Sequence, residues 1–201
     1  KMNLDLDIWE PSLEDIRKKF PNFVPFISTT KDRMNVIGLW KGTGAGRSII
    51  LNGHIDVVDP GPKDAWKHDP WGGIFENGKI YGRGVCDMKA GLTAAIFAVE
   101  AIQKAGLRLK GDAIIESVID EEGGSMGTFA CIVRGYKADA GVVMEPSNLE
   151  IHLAQAGLLR FKIRVEGKVA HGGLRDEGVS ALEKAMEIYR ALTNLESRRS
   201  Q

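Results

Sequence analysis

The sequence predicts an α/β protein: a mainly parallel sheet flanked by helices, followed by the start of a smaller α+β domain. Apolar runs of strand length, at Ser48–Asp56, Asp112–Ile119 and Ala140–Met144, alternate with segments of helical period at Met88–Ala105 and Ser125–Val133. Strand–helix–strand alternation implies right-handed crossovers and parallel pairing, with ligands collecting beyond the carboxyl ends of the strands. After Glu145-Pro146-Ser147 the pattern changes to one long alternating stretch, Leu158–Glu166, and one amphipathic helix, Ser180–Asn194. One strand and one helix bury no core of their own. Residues 1–156 therefore read as an incomplete first domain, residues 157–201 as the start of a second, smaller one, and the chain as a piece of something longer.

Taken in order, Leu4-Asp5-Leu6-Asp7-Ile8 alternates apolar and acidic residues as a half-exposed edge strand does. Ser12-Leu13-Glu14-Asp15 caps a short helix that Pro21 stops near Phe20. Asn35–Trp40 and Ser48–Asp56 are two strands, and the glycine-bearing stretch from Lys41 to Arg47 is read as a hairpin loop between them. A dinucleotide site needs its glycines between a strand and a helix, and here a second strand follows. Asp59–Gly73, with three prolines, Trp66 and Trp71, is a long ordered loop, and His68 within it reads as a surface histidine. Asn77-Gly78 supplies the two positive φ angles of a tight hairpin between Ile74 and Tyr81. Met88–Ala105 ends at Gly106 and its alanines suit close packing on a sheet. Ser180-Ala181-Leu182-Glu183 is a capping box, and Leu182, Ala185, Met186, Tyr189 and Leu192 share one face of the helix it starts.

Composition excludes some functions. Of 201 residues 43% are hydrophobic, and 27 Lys+Arg balance 27 Asp+Glu, so nothing favours nucleic acid or an anionic membrane as partner. No apolar run approaches a membrane span, and the first residues lack a signal-peptide layout; a soluble, cytoplasmic protein is expected. Cys86 and Cys131 stand apart without a C-x-x-C, which suits a reducing compartment.

Chemistry concentrates at strand ends. His54 and Asp56 project to one side where their strand leaves the sheet, so the carboxylate can hold the imidazole while its other nitrogen binds a metal. Asp87 precedes a helix, Glu121-Glu122 follow one strand, and Glu145 follows the next. Singly these read as a cap, a solvated acidic turn and a strand end. Together, converging carboxylates repel unless a cation joins them. Imidazole with carboxylates suits zinc, cobalt or manganese better than calcium or magnesium. Adjacent glutamates point different ways, so one can bind metal while the other stays free as a base.

The segments Asn52-Gly53-His54-Ile55-Asp56-Val57-Val58, Tyr81-Gly82-Arg83-Gly84-Val85-Cys86-Asp87-Met88-Lys89, Asp120-Glu121-Glu122-Gly123, Met144-Glu145-Pro146 and Val169-Ala170-His171-Gly172-Gly173 resemble the di-zinc amidohydrolases and peptidases. That family includes acetylornithine deacetylase, succinyl-diaminopimelate desuccinylase, aminoacylase and glutamate carboxypeptidase. The resemblance implies two zinc ions per complete subunit, with His54 and Glu145 on one, Glu122 on the other and Asp87 bridging both. It implies Asp56, Glu121 and His171 as the catalytic set: Asp56 behind His54, Glu121 as general base and then acid, and His171 stabilising the oxyanion from a lid and dimerisation domain in a homodimer. It also implies a cis peptide bond between Asp87 and Met88. The family's further metal-binding histidine is absent, since His152 does not fit that role. The implied reaction is hydrolysis of a small N-acyl amino acid of the deacetylase or desuccinylase type. A dipeptidase or carboxypeptidase of the same family, or a non-catalytic metal-binding relative, are the alternatives, and Arg175 is the one basic residue near His171 to test for a role in gripping the substrate.

Overall fold

The computed structural model describes residues 2–25, 29–157 and 161–199. Its contacts group into two compact units, Lys1–Ile151 and His152–Gln201.

The first unit is built on a five-stranded sheet. Strands β1 (Asp5–Trp9), β2 (Asn35–Trp40), β3 (Ile49–His54), β6 (Ala113–Val118) and β7 (Ala140–Val143) lie in the order β1-β2-β6-β3-β7. β3 pairs parallel with both β6 and β7, while β2 is antiparallel to β6 and to β1. Four of the five strands therefore run one way and only β2 is reversed, the mainly parallel sheet that the sequence predicts.

The segment 41–47 is not a hairpin loop, because β6 lies between β2 and β3 and pairs with both. The cause is close approach of two backbone turns. Thr43 donates its N–H to the Leu109 carbonyl, and Gly44 and Ala45 donate to that of Lys110. A Cβ on Gly42 would stand 2.4 Å from the Gly111 oxygen, and one on Gly111 would stand 1.9 Å from that of Arg47. The glycines let these turns touch, which is a packing role and not phosphate binding.

Helices cover both faces. α2 (Ala90–Lys104) buries Leu92, Ala95 and Val99, of which Leu92 and Val99 cluster with Trp40, Ala113 and Ile115. On the other face α1 (Leu13–Lys19) and α3 (Met126–Arg134) enclose Ile16, Ile119, Met126 and Ala130, while Ile37, Ile114, Val118 and Cys131 form the adjoining cluster. Ser12 caps α1 by accepting from the Asp15 N–H, as predicted. Asp7 of β1 receives both Arg134 Nε (2.6 Å) and the Tyr136 hydroxyl (2.7 Å), and the Arg134 guanidinium lies over Trp9, so the edge strand is pinned to the end of α3. β4 (Ile74–Glu76) and β5 (Lys79–Tyr81) form the expected hairpin, with Asn77 and Gly78 at φ 52° and 74°. His68 is not a free surface histidine: its Nε2 lies 3.2 Å from Glu76 and its ring packs on Tyr81.

β7 departs from expectation. The sequence predicts a buried strand, yet all four residues are exposed, because among the described residues β7 is the sheet edge and pairs only with β3. In the second unit the predicted strand is absent over 161–166, and residues 158–160 of that segment lie outside the described residues. Without a partner strand the ladder bonds that fix extended backbone are not made. One isolated bridge joins Lys168 to Val179. α4 (Ala181–Arg199) runs five residues further than predicted, is capped by Ser180 Oγ on the Glu183 N–H, and leaves Leu182, Met186 and Tyr189 exposed. Both cysteines are free, and no helix among the described residues is long and apolar enough to cross a membrane.

Candidate metal centre

Chain segments far apart in sequence meet beyond the carboxyl ends of β3, β6 and β7. β3 delivers His54, whose side chain is fully buried. Its Nδ1 lies 2.9 Å from the Asp56 main-chain carbonyl oxygen and 3.5 Å from Asp56 Oδ1. A carbonyl oxygen can only accept, so Nδ1 carries a proton and Nε2 is the nitrogen turned to the acids. Nε2 stands 3.1 Å from Asp87 Oδ1, 3.7 Å from Glu145 Oε1 and 3.9 Å from Glu121 Oε2.

Asp56 holds the imidazole chiefly through its main chain, not through the carboxylate that the sequence reading put there. The carboxylate has another task. Its Oδ1 accepts the Glu121 N–H and its Oδ2 the Glu122 N–H, both at 3.2 Å. One side chain thereby ties the His54 strand end to the turn carrying both glutamates.

That turn is not a solvated acidic loop. Asp120 is buried with φ 58°, and a Cβ on Gly123 would lie 2.2 Å from Asp120 Oδ1, so the glycine leaves room for the carboxylate beneath the turn. Asp120 Oδ2 has no hydrogen-bond partner among the described residues, and burial followed by the Asp56 charge raises the pKa of the group. Asn35 braces the same region, donating to the Gly127 carbonyl at 2.8 Å and accepting the Ile119 N–H at 3.2 Å. Sequence reasoning missed Asn35, although a lone amide at the start of an apolar strand was a visible signal.

Asp87 follows Gly84, which has φ 77°, in a tight turn ahead of α2; the Asp87–Met88 peptide bond is cis, as the resemblance implies. Glu145 follows β7, where the Met144 N–H bonds to the Asn52 carbonyl at 3.0 Å. The candidate ligand atoms of His54, Asp87 and Glu122 lie within 4.8 Å of one another, as do those of His54, Glu121 and Glu145.

The electrostatics fit a cation. Burial, then the Asp87 charge, pushes the Glu145 carboxyl up to about 7. The same two causes in the same order raise Glu122. Burial by itself would depress His54, but the Asp56 carbonyl bond, the Asp56 charge and the other acids outweigh it and raise the imidazole. These groups crowd like charge around one imidazole, the strain that a divalent ion removes, and one nitrogen among carboxylate oxygens is a donor set for a transition metal.

His171 and Arg175 belong to the second unit. His171 Nδ1 accepts the Gly173 N–H at 3.1 Å. Arg175 pairs with Glu183, and these residues line a shallow hollow of about 360 Å³ with Lys168.

Comparison with known proteins agrees with this geometry. The chain is 39% identical over 174 residues to N-formyl-4-amino-5-aminomethyl-2-methylpyrimidine deformylase of Bacillus subtilis, covering 81% of this chain and 41% of that protein. It is 28% identical over 180 residues to a probable succinyl-diaminopimelate desuccinylase of Staphylococcus aureus, covering 88% of this chain and 44% of the relative. The chain thus spans about four-tenths of the length of the curated relatives it matches. Among solved structures, a tripeptidase of Staphylococcus aureus superposes with a TM-score of 0.56 at 20% identity over 92% of this chain and 46% of that one, a likeness of fold. An M20-family metallo-carboxypeptidase of Sulfolobus solfataricus gives 0.51 at 25% identity over 65% of this chain and 30% of that one. Residues 50–197 match the profile of peptidase family M20/M25/M40, the stretch that holds His54, Asp87, both glutamates, Glu145 and His171, and the chain belongs to that family.

Proposed function

We propose that the protein is a metal-dependent hydrolase of the amide bond in a small N-acyl substrate. The carrying observation is the convergence of His54 Nε2 with Asp87, Glu121 and Glu145 within 3.9 Å, beside Glu122. In this reading His54, Asp87 and Glu145 hold one zinc ion, and Asp87 and Glu122 contribute to a second, with cobalt or manganese as substitutes. A bound divalent ion polarises the scissile carbonyl and acidifies water. Glu121 is the general base: it takes the proton from the attacking water and returns it to the leaving amine. Asp56 fixes the aim of Glu121 and Glu122 through their backbone N–H groups. His54, held in one tautomer by the Asp56 carbonyl, presents a fixed nitrogen to the ion.

The relatives' activities, a deformylase and a probable desuccinylase, support an N-acyl substrate over a dipeptide. Residues from about 157 onward are assigned to a lid and dimerisation domain whose His171 stabilises the oxyanion of a cytoplasmic homodimer. Because the chain spans about four-tenths of its relatives, the activity is that of the whole protein.

A panel of N-formyl, N-acetyl and N-succinyl amides and dipeptides, assayed with the complete protein, tests the reading. Chelation should abolish turnover and zinc or cobalt should restore it. Glu121→Gln should keep its metal and lose turnover by on the order of 100-fold or more. Glu122→Gln should weaken one metal. Chelator-insensitive hydrolysis would remove the metal from the mechanism, and equal metal loss in both variants would reverse the two glutamates.

A further inference from the structure

Gly91, the second residue of α2, adopts helical backbone and has no positive φ. A glycine there weakens the helix relative to alanine and gains no conformation that alanine lacks. What it gains is proximity. A Cβ on Gly91 would stand 2.0 Å from the Met144 carbonyl oxygen and 3.0 Å from the Met144 carbonyl carbon. Ordinary carbon–oxygen contact begins at about 3.3 Å, so a methyl group would force the two segments apart by roughly 1.3 Å.

Both segments lead directly to acids of the metal centre. α2 begins three residues after Asp87, and the Met144 carbonyl belongs to the peptide bond that leads into Glu145. The other side of this helix start is also close, though less so: a Cβ on Gly53, next to His54, would lie 3.1 Å from Leu92 Cβ and 3.1 Å from Met88 Cε. Met144 cannot retreat freely, because its N–H is bonded to the Asn52 carbonyl. The start of α2 is thus wedged between the strand that carries His54 and the strand end that carries Glu145. Metal–ligand distances tolerate about 0.2 Å and a working site about 0.5 Å, well below the displacement a single methyl would impose.

We propose that Gly91 is a positioning residue of the metal centre: by lacking a side chain it sets the distance between Asp87 and Glu145. The inference rests on the reading of Glu145 as a metal ligand, and the test separates the two.

Zinc affinity of the folded chain is measured by chelator competition, alongside the cobalt absorption spectrum and the melting temperature, for Gly91→Ala, Gly42→Ala, Glu145→Gln and the Gly91→Ala/Glu145→Gln pair. Gly42→Ala is the matched control, since its Cβ would meet the Gly111 oxygen at 2.4 Å away from the metal ligands. Gly91→Ala should weaken zinc about 10- to 100-fold and change the cobalt spectrum. Gly42→Ala should lower the melting temperature yet keep affinity within about twofold. Adding Gly91→Ala to Glu145→Gln should cost little more. Wild-type affinity in Gly91→Ala, or equal loss in the Gly42 control, overturns the proposal. So does a Gly91→Ala chain that does not fold even in stabilising sucrose, because the contact would then be purely structural. Wild-type affinity in Glu145→Gln instead removes the ligand assignment.

Discussion

Asp56→Asn probes the joint on which the centre turns. The Asp56 carboxylate accepts two successive N–H groups, those of Glu121 and Glu122, at 3.2 Å each. Asparagine keeps the shape but replaces one acceptor oxygen with an NH₂, which must face a backbone N–H, donor against donor. A hydrogen bond to a charged acceptor contributes about 1.5–3 kcal/mol, so one bond is lost outright and its N–H is left without a partner. Side-chain exposure of 23% lets water restore part of this, and about 1–2 kcal/mol of stability should remain lost. The larger consequence is geometric. The imidazole stays held by the Asp56 main-chain carbonyl at 2.9 Å, which the substitution does not alter, whereas the glutamate turn is free to shift. A shift of about 1 Å in a general base costs on the order of 100-fold in turnover. Steady-state kinetics of the complete protein should therefore show kcat falling about 100-fold, KM changing less than about threefold, and zinc bound through His54 retained. Loss of that zinc with the glutamate turn intact would show that the carboxylate acts on the imidazole. Wild-type kcat would show that the two N–H bonds do not position the base.

Dialysed against metal-free buffer, the 201-residue chain should retain about one zinc and bind a second weakly, since in the proposed assignment one ion would have His54, Asp87 and Glu145 and the other Glu122 and a share of Asp87; elemental analysis finding two firmly held ions would count against this assignment. Zinc at 100 times its dissociation constant should stabilise the chain by about 2.7 kcal/mol in urea titrations, and an unchanged midpoint would mean the acids do not form a site. Asp7 is held below its usual range by the Arg134 hydrogen bond, so its stabilisation is present above pH 3.8 and is lost as pH falls through the lowered folded value; Asp7→Asn should cost about 1 kcal/mol at pH 7, and in urea titrations that cost should shrink as the solution is acidified below pH 3.8. Burial raises the Glu116 carboxyl despite its 2.8 Å bond from Asn52, so its contribution is present at low pH and lost as pH rises through the folded value; Glu116→Gln should gain stability relative to the parent on going from pH 5 to pH 9, and parallel pH profiles would refute it.

Legibility in the sequence followed the range of the interaction. Periods and caps are local, so α1, α2, the Asn77-Gly78 turn and the start of α4 were readable to within a residue or two. His54, Asp87, Glu121, Glu122 and Glu145 were readable because each follows or precedes a strand or helix whose direction the alternation implies. Strand order was not, since no local feature of Lys41–Arg47 says that β6 will enter between β2 and β3; the information lies in glycines 42, 46 and 111 meeting across the chain. The two hydrogen bonds that the glutamate turn donates to the Asp56 carboxylate were hidden for the same reason: proximity to His54 in sequence suggested the nearer partner, and the turn 65 residues away took the carboxylate.

β7 carries a practical consequence for anyone handling this chain. Its sequence, Ala140-Gly141-Val142-Val143, has neither proline nor charge, and Val142 and Val143 are 44% and 62% exposed along an edge that pairs only on the β3 side. Native edges usually carry lysine, proline or a bulge to discourage a second strand from docking. A concentrated solution of the chain should therefore associate edge to edge, and because Glu145 lies two residues beyond the end of that strand, aggregates would lock or distort the acid proposed to hold the metal. Val142→Lys, which changes no residue of the proposed centre, should suppress that edge-to-edge association in the zinc-binding measurements on the 201-residue chain.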